Sequence, residues 1–539
     1  MKVLLMYRDR DFDLPEAPPR NADSRKHVLD FDLPKRSPWN ATALTQDLDL
    51  ETIWRSMAQE DEFLFEVARK AFLDAFNNDM DTVLYRQQVL KDCIHHREVA
   101  VQLYNIAVEA IVKARKSSWG MTSHYPSSML YGATDTLQVL VDILRRLRGI
   151  AEQNASAFES EGFKALFSRL TSELGDEYLA SIEEHLAISK FHKGVLLTAQ
   201  LGDSNECSNL ILRKLPKGKH RWFGQIFSKG PPAYTFHLHE RDEAGARILS
   251  NLRDRSISRV AVVLAESADH VLSFFTTLRA ELAFYVGAVN LHERLVVSHE
   301  PVCFPVPNRP ASRQLRFGEL YDVSLSLRTK DRVVGNTLDA TGKNLVVITG
   351  ANQGGKSTFL RSLGLAQIMM QSGMFVGAET FGGELSPAMC THYKREEDAS
   401  MKSGKFDEEL ARMGEIADHV SPNATILFNE SFAATNEREG SEIARQIVSA
   451  LLEKHIRVFY VTHMFEFARS FFDDRRPDAA FLRAERMPDG TRTFKLGESE
   501  PLETSFGQDL YRNIFGADDQ GEGFQSKGQA LVSGLRTEN

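Results

Sequence analysis

A glycine-rich segment in the second half of the chain has the residue types that bind a nucleoside triphosphate. Residues 350–357 read GANQGGKS, in which two glycines come directly before a lysine and a hydroxyl. Glycines let the backbone wrap around phosphates, and the N–H groups of the loop and of the following helix then face the anion. We therefore predict an ATP site in which Lys356 contacts the β- and γ-phosphates and Ser357 ligates Mg²⁺.

Seven residues are predicted to contact the nucleotide. They are Gly350, Asn352, Gly354, Gly355, Lys356, Ser357 and Thr358. The apolar run 345–348 predicts a strand before the loop, and residues 359–371 predict a helix after it. This strand–loop–helix context supports a phosphate site over a chance match to the pattern.

Two further apolar strands are predicted to end beside this site. Residues 424–428 lead into Asn429 and Glu430. Glu430 is placed to orient or deprotonate an attacking water, whereas a plain surface acid at a strand end is the alternative. Asn429 stands where an aspartate normally holds Mg²⁺ through its water shell, and its neutral amide should attract the metal less strongly.

The strand predicted over 457–461 ends in Thr462 and His463. A histidine at this point can sense the γ-phosphate across the site. A lone histidine is more often structural, so the residues alone leave both interpretations of His463 open.

The elements that must position these residues differ between the two halves of the chain. Proline is absent from 39–125, 127–215 and 233–300, which permits long helices. Apolar residues spaced by three or four predict one helix over 258–297, about 60 Å long. A long lever and a plain helical bundle both fit this pattern. From about Arg313, short strands alternate with helices, which indicates an α/β domain.

Residues 207–239 form a basic segment without any acidic residue, interleaved with aromatic residues. Its glycines and prolines predict a small β-rich insertion. Basic side chains release counterions from DNA phosphates, so we predict DNA contacts here, with a solvated basic loop as the alternative. The predicted contacts are Arg213, Lys214, Lys217, Lys219, Arg221 and Lys229.

The composition sets limits on the class of protein. The chain has 539 residues, 42% hydrophobic and 26% charged, which predicts two or three globular domains. The four cysteines are far apart and favour neither a disulfide framework nor a zinc site, which suits a reducing cytoplasm. The net charge of −9 argues against a general nucleic-acid coat but allows a local DNA-binding patch. No secretory signal or membrane span is expected.

These motifs together resemble the MutS family of DNA mismatch-repair ATPases. Residues 349–358 read TGANQGGKST, similar to the TGPNMGGKST of the family. Residues 461–467 are similar to the family's ATH-F/Y-E-L motif, and Ser505-Phe506-Gly507 is similar to its SYG element. Residues 48–68 resemble the start of its helical core.

The resemblance implies an α plus α/β fold, with a long-helix lever and clamp domain before an ABC-like P-loop α/β ATPase domain. We expect an extended or partly ordered segment at 1–44 and a C-terminal tail at 518–539. The helical core would occupy 45–310, with a basic clamp-like insertion at about 200–240, and the ATPase domain would occupy 311–517.

The resemblance also implies a homodimer through the ATPase domains, with ATP and Mg²⁺ as cofactors and duplex or branched DNA as partner. Each subunit would complete the nucleotide site of the other with a signature segment, which Ser403 and Gly404 match best. Glu430 and His463 would be catalytic.

The departures from the family pattern also matter. A core that begins near residue 45 leaves no room for the mismatch-reading and connector domains. Asn429 implies slow turnover, and Val333 lies near where an aromatic often stacks on adenine. We therefore expect a DNA-dependent ATPase that switches a dimeric clamp in repair or recombination. The alternatives are a nucleotide-gated binding module with little hydrolysis and an ABC-like head without clamp activity.

Overall fold

The computed structural model describes residues 2–12, 38–117, 125–191, 195–201, 207–213, 237–239, 241–329, 331–395, 404–487 and 491–503. The chain divides into two compact units that alternate along the sequence. The first consists of 1–35, 60–68 and 88–289, and the second of 36–59, 69–87 and 290–539. The consecutive domain boundaries expected from the sequence stay a prediction.

The fold is a mixture of helices and α/β structure. The helices are α1 (Ala41–Asp47), α2 (Leu50–Ala58), α3 (Glu62–Leu73), α4 (Met80–His95), α5 (Arg97–Ser117), α6 (Pro126–Asn154), α7 (Glu161–Glu173), α8 (Asp176–Ser189), α9 (Glu243–Val297), α10 (Val323–Ser326), α11 (Lys356–Gln371), α12 (Lys405–His419), α13 (Glu437–Glu453) and α14 (Phe465–Asp473).

Within the described ranges, the strands pair into three sheets. They are β1 (Leu196–Leu201), β2 (Cys207–Arg213), β3 (Val306–Asn308), β4 (Leu315–Leu320), β5 (Asn336–Asp339), β6 (Leu345–Gly350), β7 (Thr380–Glu384), β8 (Met389–Tyr393), β9 (Thr425–Asn429), β10 (Arg457–Val461), β11 (Ala479–Arg486) and β12 (Arg492–Glu498). The sheet orders are β1-β2, β12-β11-β6-β10-β9-β8 and β3-β7-β4-β5.

Helix α9 confirms the long helix expected from the proline-free sequence but begins earlier than predicted. It has 55 residues rather than the 40 of 258–297, and at 1.5 Å per residue it is about 80 Å long. The earlier start has a local cause. The Asp242 carboxylate accepts a hydrogen bond of 2.8 Å from the N–H of Gly245, and Glu243 lies in the first turn, where a negative charge is favourable.

By length and composition, α9 also meets the criterion for a membrane-spanning helix. An 18-residue window has a mean hydropathy of 1.2, and 28% of that window is buried. Because this criterion allows up to two charged residues in the window, it does not contradict the expectation that no uninterrupted apolar run reaches about 18 residues. Long helices of protein cores meet the same criterion, so this finding is weak evidence for a membrane, and the absence of a membrane partner stays a prediction.

A buried carboxylate on α9 holds the N-terminal segment in the first unit. The Glu281 side chain is fully buried, and it accepts hydrogen bonds from the N–H groups of Leu5 (2.5 Å), Met6 (3.1 Å) and Phe12 (2.8 Å). The Tyr285 hydroxyl donates to the Leu5 carbonyl at 2.6 Å. These bonds satisfy backbone groups that would otherwise be buried without partners.

The central sheet of the second unit is parallel apart from β12. Val461 on β10 pairs with Ile348 on β6 and with Asn429 on β9. The strands β6, β9 and β10 are buried along almost their whole length, as expected for a parallel sheet covered on both faces. This register brings the carboxyl ends of three strands to one edge, as the sequence predicted.

The Glu281 contact predicts a pH dependence of the N-terminal segment. Burial raises the pKa of Glu281 from 4.5 to about 7. Between these pH values the native protein binds more protons than the opened chain, so stability falls as pH rises through the window, by roughly 3 kcal/mol at most. We expect amide protection of residues 2–12, corrected for intrinsic exchange, to fall by up to about 100-fold between about pH 4.5 and pH 7.

Hydrogen–deuterium exchange of the peptide containing Leu5, Met6 and Phe12 measures this change. In Glu281→Gln the protection should be lower near pH 4.5 and independent of pH, because an amide does not titrate and offers only one acceptor oxygen. Glu266→Gln, at an exposed position on α9, is the matched control. If amide protection in the wild type were as independent of pH as in Glu281→Gln, the Glu281 carboxyl would not change its protonation when the N-terminal segment opens.

Candidate nucleotide site

The loop between β6 and α11 has a shape that its glycines make possible. Gly355, directly before α11, has φ 86°, a left-handed conformation that glycine adopts without strain. A Cβ on Gly354 would lie 2.7 Å from Cβ of Ala484 on the neighbouring strand β11. The confirmed strand–loop–helix order thus places the predicted phosphate-binding backbone against the sheet edge.

Lys356 is drawn into this loop. Its Nζ donates hydrogen bonds of 3.0 Å to the carbonyls of Gly350 and Ala351, and the residue is only 5% exposed. Burial lowers the pKa of Lys356, while the nearby Glu430 carboxylate opposes that shift. The ammonium group is therefore partly desolvated and lies against backbone carbonyls at the start of the loop.

Ser357 and Asn429 meet as the sequence predicted. The Ser357 hydroxyl donates to Oδ1 of Asn429 at 3.0 Å. Two neutral oxygens at this distance fit Mg²⁺, which takes oxygen ligands and usually keeps waters and substrate phosphates in its shell. Within the described ranges, no group of three or more His, Cys, Asp or Glu side chains could hold a metal. Most ligands of such an ion would come from phosphate and water.

The two predicted catalytic residues are hydrogen-bonded to each other. His463 Nε2 lies 2.7 Å from Oε1 of Glu430, and each side chain is about one-third exposed. This hydrogen bond is the main cause that lowers the pKa of Glu430, and burial opposes it. Glu430 is thus an ionised carboxylate that can accept a proton from water at the end of β9.

A cavity of about 350 Å³ adjoins the loop and continues the site away from Lys356. Gln353, Gly355 and Thr358 line one side, and Val333 and Phe494 line another. The size and the mostly apolar lining suit a nucleoside base.

Phe494, which the sequence analysis missed, supplies the aromatic ring of this cavity. It is 48% exposed, and its Cβ lies 3.5 Å from where a Cβ on Gly355 would be. Asn336 positions it, because the Asn336 side chain donates to the Phe494 carbonyl at 3.3 Å and accepts from Leu496 N–H at 2.8 Å. No sequence motif marks Phe494, so only the fold reveals it.

Other predicted residues lie elsewhere. Asn352 is exposed in the loop, and Gly404 directly precedes α12. Arg213 is exposed at the end of β2, and its Nε donates to the Thr198 hydroxyl at 3.2 Å. The remaining predicted positions fall outside the described residues and stay predictions. These are Ser403, Lys214, Lys217, Lys219, Arg221, Lys229 and the Ser505-Phe506-Gly507 element.

Comparison with known families supports the resemblance seen in the motifs. The sequence model of the MutS2 N-terminal domain matches residues 78–297, and that of MutS domain V matches residues 346–508. Together they cover most of the chain. The chain belongs to the MutS family. Domain V contains the phosphate loop, the Glu430–His463 pair and Phe494.

Similar proteins include members of two MutS branches. MutS protein homolog 4 of Mus musculus is 30% identical over 155 residues, which are 29% of this chain and 15% of that protein. Endonuclease MutS2 of Thermus thermophilus is 30% identical over 159 residues, 29% of this chain and 21% of that protein. Endonuclease MutS2 of Lacticaseibacillus casei is 28% identical over 221 residues, which are 40% of this chain and 27% of that protein. The chain spans less than a third of these relatives.

The cavity predicts a base-specific role for Phe494. In Phe494→Ala the affinity for ATP should fall by about tenfold or more, because base–aromatic stacking contributes about 1–3 kcal/mol. The affinity for inorganic tripolyphosphate should not change, because this ligand has no base. Calorimetric titration measures both, with Phe494→Trp as the control that keeps an aromatic ring. An equal loss for both ligands would mean that the variant disturbs the loop.

Proposed function

We propose that this MutS-family protein hydrolyses ATP with Mg²⁺ and uses the nucleotide to switch a dimeric clamp on duplex or branched DNA, in repair or recombination. The main support is the Glu430–His463 pair at the same sheet edge as the phosphate loop. A carboxylate at this edge can act on a water that attacks the γ-phosphate of a nucleotide seated in the loop.

In the proposed reaction, backbone N–H groups of the loop bind the phosphates and Lys356 neutralises part of their charge. Glu430 orients the water and accepts its proton, while His463 Nε2 holds the carboxylate in place. Bound Mg²⁺, held through Ser357 and Asn429, would supply charge neutralisation at the phosphates. Phe494 would orient the nucleotide through its base.

A second candidate function is a nucleotide-gated binding module with little hydrolysis. Asn429 supports it, because this side chain pairs with Ser357 but brings no negative charge to the metal position. A neutral amide holds Mg²⁺ less strongly than a carboxylate. Nucleotide binding would then change the conformation while turnover stayed slow.

For DNA binding we propose the basic positions Lys214, Lys217, Lys219, Arg221 and Lys229, together with Arg213. In the proposed homodimer, Ser403 and Gly404 reach the nucleotide of the partner. A cytoplasmic location is part of this proposal. Similar proteins of Porphyromonas gingivalis and Thermus aquaticus are named DNA mismatch repair protein MutS, which supports a DNA-repair setting. The relatives are much longer proteins, so the activity of the whole protein is proposed here.

Variants at the strand end separate the two candidate functions. Glu430→Gln should lower kcat by about 10²–10⁴-fold and leave ATP affinity nearly unchanged, because the loop is intact. Asn429→Asp should lower the Mg²⁺ concentration that gives half-maximal activity. Steady-state ATPase assays over a Mg²⁺ titration measure both, with Glu453→Gln on the exposed face of α13 as the control. Hydrolysis only in Asn429→Asp would favour the binding module.

Charge reversal tests the DNA surface. The triple variant Lys217→Glu, Lys219→Glu, Arg221→Glu should weaken duplex and four-way junction binding. The logarithm of the DNA-binding constant should also fall less steeply with the logarithm of salt concentration. The slope should become shallower by about 0.9 for each DNA phosphate that the variant no longer neutralises. Fluorescence anisotropy at several salt concentrations measures this slope, with and without ATP. The control carries the same charge change at three exposed positions, Lys164, Lys454 and Arg475. Equal weakening by both triple variants would place the DNA-binding surface elsewhere.

A further inference from the structure

A histidine that no motif marks joins two elements behind the candidate site. His392 on β8 is fully buried. Its Nδ1 lies 2.7 Å from the hydroxyl of Ser431, and its Nε2 lies 2.9 Å from the carbonyl of Glu409 on α12. The ring also stacks on Phe432, with centroids 5.2 Å apart and an interplanar angle of 20°. Both ring nitrogens and one ring face are therefore engaged.

The partners determine the direction of each hydrogen bond. Burial lowers the pKa of His392 to about 4, so the imidazole is neutral near neutral pH. A carbonyl only accepts, so Nε2 carries the hydrogen and donates to the Glu409 carbonyl. The one hydrogen of the Ser431 hydroxyl faces two acceptors of His392, the backbone carbonyl at 2.5 Å and Nδ1 at 2.7 Å. A neutral imidazole thus bridges a donor on one element and an acceptor on another.

Glu409 makes a second link to the same loop. Its side chain is 4% exposed, and burial raises the pKa of its carboxyl while the nearby Phe432 N–H opposes that shift. Helix α12 is therefore linked to Ser431 through His392, and its Glu409 carboxyl interacts electrostatically with the Phe432 N–H. Both contacts lie within two residues of Glu430, the proposed water-activating carboxylate.

The loop after β9 needs external contacts to keep its shape. Glu430 has φ 54° and Phe432 has φ 62°, left-handed values that cost non-glycine residues energy unless their surroundings enforce them. The Tyr460 hydroxyl donates to the Ser431 carbonyl at 2.7 Å. A Cβ on Gly440 would lie 2.3 Å from the Phe432 carbonyl oxygen, so α13 also lies close against this loop.

We propose that His392, together with Glu409, is a positioning residue that couples the placement of α12 to the alignment of Glu430. This inference rests on the proposed ATPase function. A shift of α12 would move the Glu409 carbonyl and carboxylate, and through them Ser431 and Phe432, and so turn Glu430 relative to the attacking water. If His392 only stabilised the folded core, loss of its two hydrogen bonds would lower the stability of the protein but not kcat.

The test compares variants in steady-state ATPase assays and in equilibrium nucleotide binding. His392→Phe keeps a ring to stack on Phe432 but removes both hydrogen bonds. We expect kcat to fall by about tenfold to 100-fold, the scale of a misplacement near 1 Å, with the Kd for ATP changed by less than about twofold. His392→Gln restores a donor toward Glu409 and should recover part of kcat.

Ser386→Ala is the control, because it removes a buried hydroxyl hydrogen bond to the Ala388 carbonyl ahead of β8, at the end of the strand away from the loop after β9. Ser431→Ala is the second variant, for use if His392→Phe does not fold. It removes the hydroxyl that contacts both Nδ1 and the backbone carbonyl of His392, and it should also lower kcat. Unchanged kcat in His392→Phe, or an equal loss in Ser386→Ala, would overturn the coupling. A wild type without Glu430-dependent hydrolysis would instead overturn the proposed function and this inference with it.

Discussion

The parallel register of β6, β10 and β9 is the constraint on which the candidate site depends. Val461 pairs with both Ile348 and Asn429, so all three strands end at one edge. The phosphate loop, Glu430 and His463 meet there although more than 100 residues separate the first from the last. A one-residue slip of β9 would turn its side chains to the opposite face and separate Asn429 from Ser357.

The charges at this edge explain why Asn429 matters. Lys356 is partly desolvated, and Glu430 is kept ionised by His463, so the edge already holds a cation and an anion. Asn429 contributes an oxygen without charge, which leaves phosphate groups to supply most of the attraction for a metal. Metal and nucleotide affinity should therefore be more strongly coupled than in a site with an aspartate.

The strand ends and the phosphate loop could be predicted from the sequence because their signals are local. Apolar runs followed by polar residues mark β6, β9 and β10, and the glycine pattern marks the loop. Phe494 and His392 could not be predicted in this way. Phe494 reaches the cavity only because β12 pairs with β11 as the outermost strand of the sheet. His392 has no distinguishing feature in the sequence, and its role depends on α12 packing beside β8. Their roles come from tertiary contacts between distant segments.

Part of the backbone strain of the described chain lies around the same site, and this connects the fold to its chemistry. Gln353, Glu430, Phe432 and Phe494 all have positive φ although none is glycine. Each such residue costs of the order of 1 kcal/mol or more and persists only where neighbouring contacts enforce it. The hydrogen bonds of His392 and Tyr460, with the Glu409 carboxyl near the Phe432 N–H, provide that enforcement around Glu430. A strained loop held by buried bonds has few alternative positions, so movement of a supporting helix is transmitted to the carboxylate rather than absorbed by the loop.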